Sequence, residues 1–196
     1  GKRIQRPSLY YLNPFRNNTD RTNQIQGNPR LKSEIIHHIE IGGDFNFFKD
    51  NGQLNVSFYY KSTKDIIEPV AQNIIENGNI VLLQTFENIG KNNSFGTNFY
   101  GSLKFLKRFN LKANLDVYSY ANSPYKDFLH SIKESNKTFI MYKTFVGMDI
   151  NLGRGYTFDS YLFYDSPQRT FQGEFAAFNL LNISCKKKIL KDAAVV

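Results

Sequence analysis

The strongest constraint on this chain's fold is a double alternation, in its side chains and in its connections. From Glu34 onward, Ile35, His37, Ile39, Ile41, Gly43, Phe45 and Phe47 occupy one parity. Glu34, Ile36, His38, Glu40, Gly42, Asp44 and Asn46 occupy the other. A period of two makes a strand with one apolar and one polar face. A one-residue slip would carry Glu40 and Asp44 to where Ile39 and Phe45 belong, so the register is tightly specified. The first strand is expected over 34–48, and the scheme returns over 53–67, 94–105, 110–121, 138–152, 156–165 and 173–188. The connections alternate as well. Tight turns are expected at 49–52, 106–109, 153–155 and 190–192, with Asn51-Gly52 at the heart of the first. Long loops are expected at 10–32, 68–93, 122–137 and 166–172. Inside the second loop, Asn77-Gly78-Asn79 suggests a small hairpin between 72–75 and 80–86. In the third, Phe128 to Ile132 suggests a helical turn.

In an antiparallel meander, odd and even connections lie at opposite ends. Short turns at one end and long loops at the other are the pattern of an outer-membrane barrel. The strands reach the roughly 9–11 residues needed to cross a hydrocarbon core, against roughly 5–6 in soluble sheets. Lipid accepts strands only in a closed barrel, where every backbone group is paired. The expected fold is therefore all-β: an antiparallel up-and-down transmembrane meander, with apolar faces to lipid and Asn, Asp, Lys, Ser and Tyr lining a wet interior. Phe45, Phe47, Phe105, Phe109 and Tyr164, near strand ends, suit an interfacial girdle. The chain opens on Gly1-Lys2-Arg3 and ends in Ala193-Ala194-Val195-Val196, as though in mid-strand. Both ends are expected to be cuts, and residues 1–196 to be one partial barrel domain. A plug-less barrel and a soluble, lipocalin-like β cup are the alternatives.

Composition agrees. Phe and Tyr are abundant, Trp is absent and the formal charge is +8. That charge permits anionic partners, but the basic residues are scattered among acids and favour a solvated surface. No nucleic-acid partner is expected. Lys186-Lys187-Lys188 meets either solvent or a phosphate or lipid headgroup. Cys185 is the one cysteine and is expected to be a buried or half-buried small apolar side chain, not a nucleophile. His37 and His38 point to opposite faces, so they cannot share a metal. Glu40 and Asp44 are roughly 13 Å apart along a strand, too far for paired-carboxylate catalysis. Gly153-Arg154-Gly155 is a hairpin turn, since it lacks the strand–helix context of a phosphate loop. No catalytic residue, cofactor or metal is expected. Tyr10, Tyr11, Phe15 and Arg16 lie in a long loop, where they either contact a ligand or pack the loop on its neighbours.

The N-terminal segment carries specific motifs: Arg3-Ile4-Gln5-Arg6-Pro7-Ser8, Leu12-Asn13-Pro14-Phe15 and Gly27-Asn28-Pro29-Arg30-Leu31-Lys32-Ser33-Glu34. Gly27 permits a positive φ, and Asn28 before Pro29 initiates a turn. In this order they resemble the C-terminal half of the barrel in TonB-dependent receptors, most nearly the Bacteroidetes outer membrane protein beta-barrel branch. Tyr59-Tyr60, Thr63-Lys64-Asp65-Ile66-Ile67 and Asn88-Ile89-Gly90 ahead of Gly96 look like later landmarks of the same pattern. Ser33 departs from it, standing where the family usually has Pro, which leaves the strand start less rigid.

The resemblance covers nearly the whole chain. It implies a structural motif of Arg6, Pro7, Asn13, Pro14, Gly27, Asn28, Pro29, Leu31, Lys32 and Glu34. It also implies a bacterial outer-membrane location, contact with outer-membrane lipid and lipopolysaccharide, the remainder of the barrel with a plug, energy through TonB, and a nutrient ligand such as a siderophore, glycan or peptide. Arg30 and Lys32 join Tyr10, Tyr11, Phe15 and Arg16 as candidate ligand contacts.

Overall fold

The computed structural model describes residues 1–49, 51–106, 108–125, 138–189 and 194–195. In chain order the elements are β1 (Lys2–Gln5), α1 (Leu9–Leu12), β2 (Asn23–Ile25), β3 (Glu34–Phe47), β4 (Gly52–Glu76), β5 (Asn79–Phe105), β6 (Phe109–Pro124) and β7 (Thr138–Gly153). They continue with β8 (Tyr156–Asp165), β9 (Gln168–Arg169), β10 (Glu174–Phe175), β11 (Phe178–Ile189) and β12 (Ala194–Val195). One sheet runs β1-β3-β4-β5-β6-β7-β8-β11-β12, with neighbours antiparallel. β2 lies parallel beside β5, and β9–β10 is a separate small hairpin.

Direct cross-strand partners share a face, so the register sorts the side chains into rows. One row runs Phe45, Leu54, Gly101, Ala113, Val146, Leu162, Leu181; the next runs Gly43, Val56, Phe99, Leu115, Thr144, Tyr164, Asn179. This face stays exposed: Phe45, Phe58 and Leu181 keep 57%, 58% and 63% of their surface, and Cys185 is exposed where burial is expected. A face this apolar and this wide needs a non-aqueous neighbour. The opposite face carries Gly42, Ser57, Asn98, Asp116, Lys143 and Asp165 in one row. The two-faced meander expected from the alternation is therefore the observed one.

The excursion over 68–93 differs from expectation. It is not a loop bearing a small hairpin; β4 and β5 continue through it, 25 and 27 residues long, to a turn at Asn77 and Gly78. Both turn residues have positive φ (51° and 79°), as a two-residue hairpin turn needs. Pro69 does not break β4, for an identifiable reason. β3 pairs with β4 only as far as Lys64, so beyond it β4 has a free edge. The N–H groups of Ile67 and Ala71, at the same parity as Pro69, leave the ladder for Glu34 Oε1 (2.8 Å) and Gln172 Oε1 (2.8 Å). Pro69 points its missing donor to that edge, the one place a strand tolerates it. The hairpin bends at Asp65 (φ 58°), where the register shifts.

Three further expectations are corrected. The first tight turn is built on Phe48 and Lys49, both at positive φ. Gly52 is already paired with Phe47. A Cβ on Gly52 would stand 2.2 Å from the Phe47 ring, so this glycine makes room for a side chain. Secondly, the segment 10–32 is ordered: α1 and β2 fold onto the β4–β5 hairpin. Thirdly, among the described residues the glycines at positive φ are Gly78, Gly153 and Gly155, so Gly27 serves another purpose. The expected helical turn at 128–132 with His130, and the turn at 190–192, lie outside the described residues.

Candidate functional site at the loop end

The second and third N-terminal motifs, with their flanking residues, are bonded to each other. Gly27 N–H donates to Asn13 O (2.9 Å) and Asn28 N–H to Tyr11 O (2.7 Å). Gln26 Nε2 donates to Pro14 O (2.8 Å). A Cβ on Gly27 would lie 2.5 Å from Asn13 O and 2.7 Å from Tyr11 O. Both are backbone atoms and cannot yield, so close approach is what demands the glycine. The joined motifs then grip the hairpin. Asn28 Nδ2 donates to Phe86 O (3.0 Å). Asn88 clamps Lys32 at both ends, its Oδ1 accepting from Lys32 N (2.7 Å) and its Nδ2 donating to Lys32 O (3.0 Å) and Asp65 O (2.7 Å). Tyr11 lies with its ring centroid 4.4 Å from that of Phe86, and Tyr10 packs edge-on at 5.7 Å. Val81, Leu83, Phe86 and Ile89 are buried.

This places the predicted contact residues. Tyr10 and Tyr11 meet on Phe86; Tyr10 remains exposed, as does Phe15 at 82%. Arg16 Nη1 is held at 3.3 Å by both Gln24 Oε1 and Glu76 Oε1. Arg30 lines a cleft of about 580 Å³ with Pro14, Gln26, Asn28, Gln72 and Glu87. Glu87 is raised above the usual carboxylate range by burial, against the opposing Arg30 charge. Lys32 engages through its backbone, and Glu34 caps the Ile67 N–H. Arg6 and Pro7 precede α1, whose N-cap is Ser8, accepting from Tyr11 N (3.3 Å).

The residues that sequence reasoning missed are those joined over long distances. Glu68 is buried; it accepts from Phe171 N (3.0 Å) and Tyr120 OH (3.2 Å). It thereby straps the 166–177 connection over the sheet, helped by Gln172 on Ala71. Burial pushes its carboxyl upward, partly offset by those two donors. On the polar face, Tyr59 OH reaches across β5 to Asp116 Oδ1 (3.0 Å). Gly96 allows this, since its Cβ would lie 2.3 Å from the Tyr59 ring. With Glu34, Lys61, Tyr118, Tyr120 and Lys143 these two line a cleft of about 390 Å³. Among the described residues no group of His, Cys, Asp and Glu could hold a metal, and His38 instead sits edge-on to Tyr59. The geometry can hold a polar ligand by hydrogen bonds and ring faces.

Residues 1–196 match the family model described as Outer membrane protein beta-barrel family. The chain belongs to that family. It is a protein of the bacterial outer membrane, and its exposed apolar rows face lipid. A comparison with curated proteins finds no match. Among solved structures, 97% of the chain superposes on the siderophore receptor PirA from Pseudomonas aeruginosa, at 13% identity and a TM-score of 0.63, covering 32% of that receptor. The copper transporter OprC gives 14% identity and a TM-score of 0.59 over 97% of this chain and 29% of OprC. A point mutant of the ferric enterobactin receptor PfeA from Pseudomonas aeruginosa, in complex with enterobactin, gives 14% and 0.56 over 97% and 30%. At such identities the likeness is one of fold, and the chain spans about a third of each protein's length.

Proposed function

We propose that the chain is the C-terminal part of the barrel of an outer-membrane receptor that imports a nutrient (siderophore, glycan or peptide) with energy from TonB. The rest of the barrel and a plug would be supplied by the remainder of the protein. The role is binding and passage, with no bond chemistry by the chain itself. The observation that carries this reading is the superposition of 97% of the chain on about a third of a siderophore receptor. The rigid loop end supports it: Tyr10, Phe15 and Arg30 stand on an ordered scaffold, suited to capturing a ligand with little ordering cost. The expected ligand contacts are Tyr10, Tyr11, Phe15, Arg16, Arg30 and Lys32.

The test is growth of a strain carrying the full-length gene on a single siderophore, glycan or peptide as its iron, carbon or nitrogen source. Deletion of the gene, and separately depletion of TonB, should each abolish growth on one such source. Assembly into the outer membrane with uptake independent of TonB would favour the plug-less barrel instead.

A further inference from the structure

The short-turn end carries a feature that nutrient capture does not use. Its cations lie in one row. Lys49 is in the turn after β3, Arg108 in the turn after β5 and Arg154 in the turn after β7, while Lys187 lies near the end of β11. Backbone hydrogen bonds tie each turn to the next strand: Lys104 N to Asn51 O (2.7 Å), Asn151 N to Arg108 O (2.8 Å) and Lys188 N to Gly155 O (2.8 Å). The row is thus a continuous rim. Neighbouring turns are two strands apart, roughly 10 Å.

Two observations give this rim a partner. First, it is positive on the outside. The nearby carboxylates of Asp149 and Asp159 sit on the polar face, held by Asn110 Nδ2 (2.9 Å) and by Lys186 Nζ and Ser184 Oγ (2.9 and 3.4 Å). Among the described residues, no ion pair involves Lys49, Arg108, Arg154 or Lys187. In sequence, only Asp50 and Asp192 oppose the rim within its turns. At the loop end, by contrast, Arg16 and Arg169 are paired with Glu76 and Glu174. Second, the rim sits directly against the lipid-facing surface. Phe48, Leu106 and Leu152 are 70%, 69% and 58% exposed, and Lys187 Nζ lies 4.8 Å from the Tyr156 ring centroid. Apolar side chains below a row of cations match the junction between acyl chain and headgroup phosphate. Short turns lie on the periplasmic side, which selects the inner leaflet.

We propose that this rim binds the headgroup phosphates of anionic phospholipid in the periplasmic leaflet of the outer membrane. The inference rests on the outer-membrane barrel and not on any imported ligand.

The experiment reconstitutes the full-length protein in phosphatidylcholine bilayers and measures, by electron spin resonance, the association of spin-labelled phosphatidylglycerol relative to spin-labelled phosphatidylcholine. The expected result is a preference for phosphatidylglycerol that falls with added salt. In the variant Lys49→Gln/Arg108→Gln/Arg154→Gln/Lys187→Gln that preference should drop by about fivefold for each cation that a bound headgroup contacts. A loop-end variant, Arg16→Gln/Arg21→Gln/Arg30→Gln, should keep it. Equal association of the two lipids with the wild-type protein would overturn the proposal. So would an unchanged preference in the rim variant, or loss of preference on adding inorganic phosphate at constant ionic strength. Should the rim variant fail to assemble, the charge-conserving Lys49→Arg/Arg108→Lys/Arg154→Lys/Lys187→Arg variant and the salt titration of the wild type decide between the same outcomes.

Discussion

The β4–β5 hairpin is two different structures made from one pair of strands. Below the bulge at Asp65 its apolar face lies open: Phe58 and Phe95 keep 58% and 64% of their surface. Above the bulge, Leu83 and Phe86 keep 7% and 5%, because β2 lies beside the first and the Tyr11 ring on the second. The chemistry of the two halves is the same, apolar residues alternating along an antiparallel ladder. What differs is the neighbour, lipid in one half and protein in the other. The lower half depends on the bilayer and the upper half on one short segment fixed by the bonded motifs. Each half therefore has its own way to fail.

The largest effect is expected at the junction of those motifs. Gly27→Val puts a branched side chain where a bare Cβ would already stand 2.5 Å from Asn13 O. The segment cannot seat, and Val81, Leu83 and Phe86 lose their cover. Limited proteolysis of the outer-membrane-inserted protein should cut within residues 10–32, while heat-modifiable gel mobility still reports an assembled barrel. This departs from a reading of residues 27–34 by turn chemistry alone, on which the stretch aims β3 and the same variant impairs barrel assembly. Failure of assembly in this variant would mean that the two halves fold as one unit.

Next is the lipid half. Phe99→Arg sets a charge in the middle of an exposed apolar row, where it should cost about 2–4 kcal/mol of barrel stability. Urea titration of the reconstituted protein would measure it, and protease resistance of 10–32 should be unchanged until the barrel itself unfolds. A loss below roughly 0.5 kcal/mol, the scale of neutral surface changes, would remove Phe99 from the lipid face.

How much of this was legible follows the same division. Period-two alternation and the turn residues located β3, β6, β7 and β8 closely, because register and turn chemistry are local. The upper hairpin reads as a loop with only a small hairpin about Asn77-Gly78, because Pro69 signals a break. Nothing local reveals that Pro69 faces a free edge. Nor does alternation say whether Phe86 meets lipid or Tyr11. At the site, the motifs were recognisable as words, but not the bonds between them. Tyr59–Asp116 and Glu68–Phe171 join residues 57 and 103 apart in sequence. Gly96, a glycine inside a strand, was the one local sign that something passes closely there.

A smaller effect is expected at the clamp. Asn88→Ala removes the three bonds that hold Lys32 and the bulge, leaving Lys32 N–H and two carbonyls to find water. The cost should be about 1–3 kcal/mol, confined to the upper half. Hydrogen exchange should speed up at residues 28–34 and 64–67, with no change along β6 and β7 below. Faster exchange along the whole of β4 would show that the bulge transmits strain into the lipid half.

The smallest effect concerns the strap at Glu68, and it depends on pH. Burial raises this carboxyl above its unfolded value. Its contribution to docking of the 166–177 connection is therefore full below the unfolded carboxylate range, near pH 4. It is lost as pH rises through the raised value, where the buried group must become charged. Protection of the Phe171 amide, corrected for the intrinsic rate of exchange, should be greater at pH 5 than at pH 8. Glu68→Gln removes the charge but keeps the geometry: the amide oxygen accepts from Phe171 N and the amide nitrogen donates to the Tyr120 hydroxyl, which turns to accept. The variant should show equal protection at both pH values, with a change at neutral pH of about 1 kcal/mol or less. Greater protection at pH 8 in the wild type would mean that the two donors outweigh burial, and that the strap is held by a carboxylate.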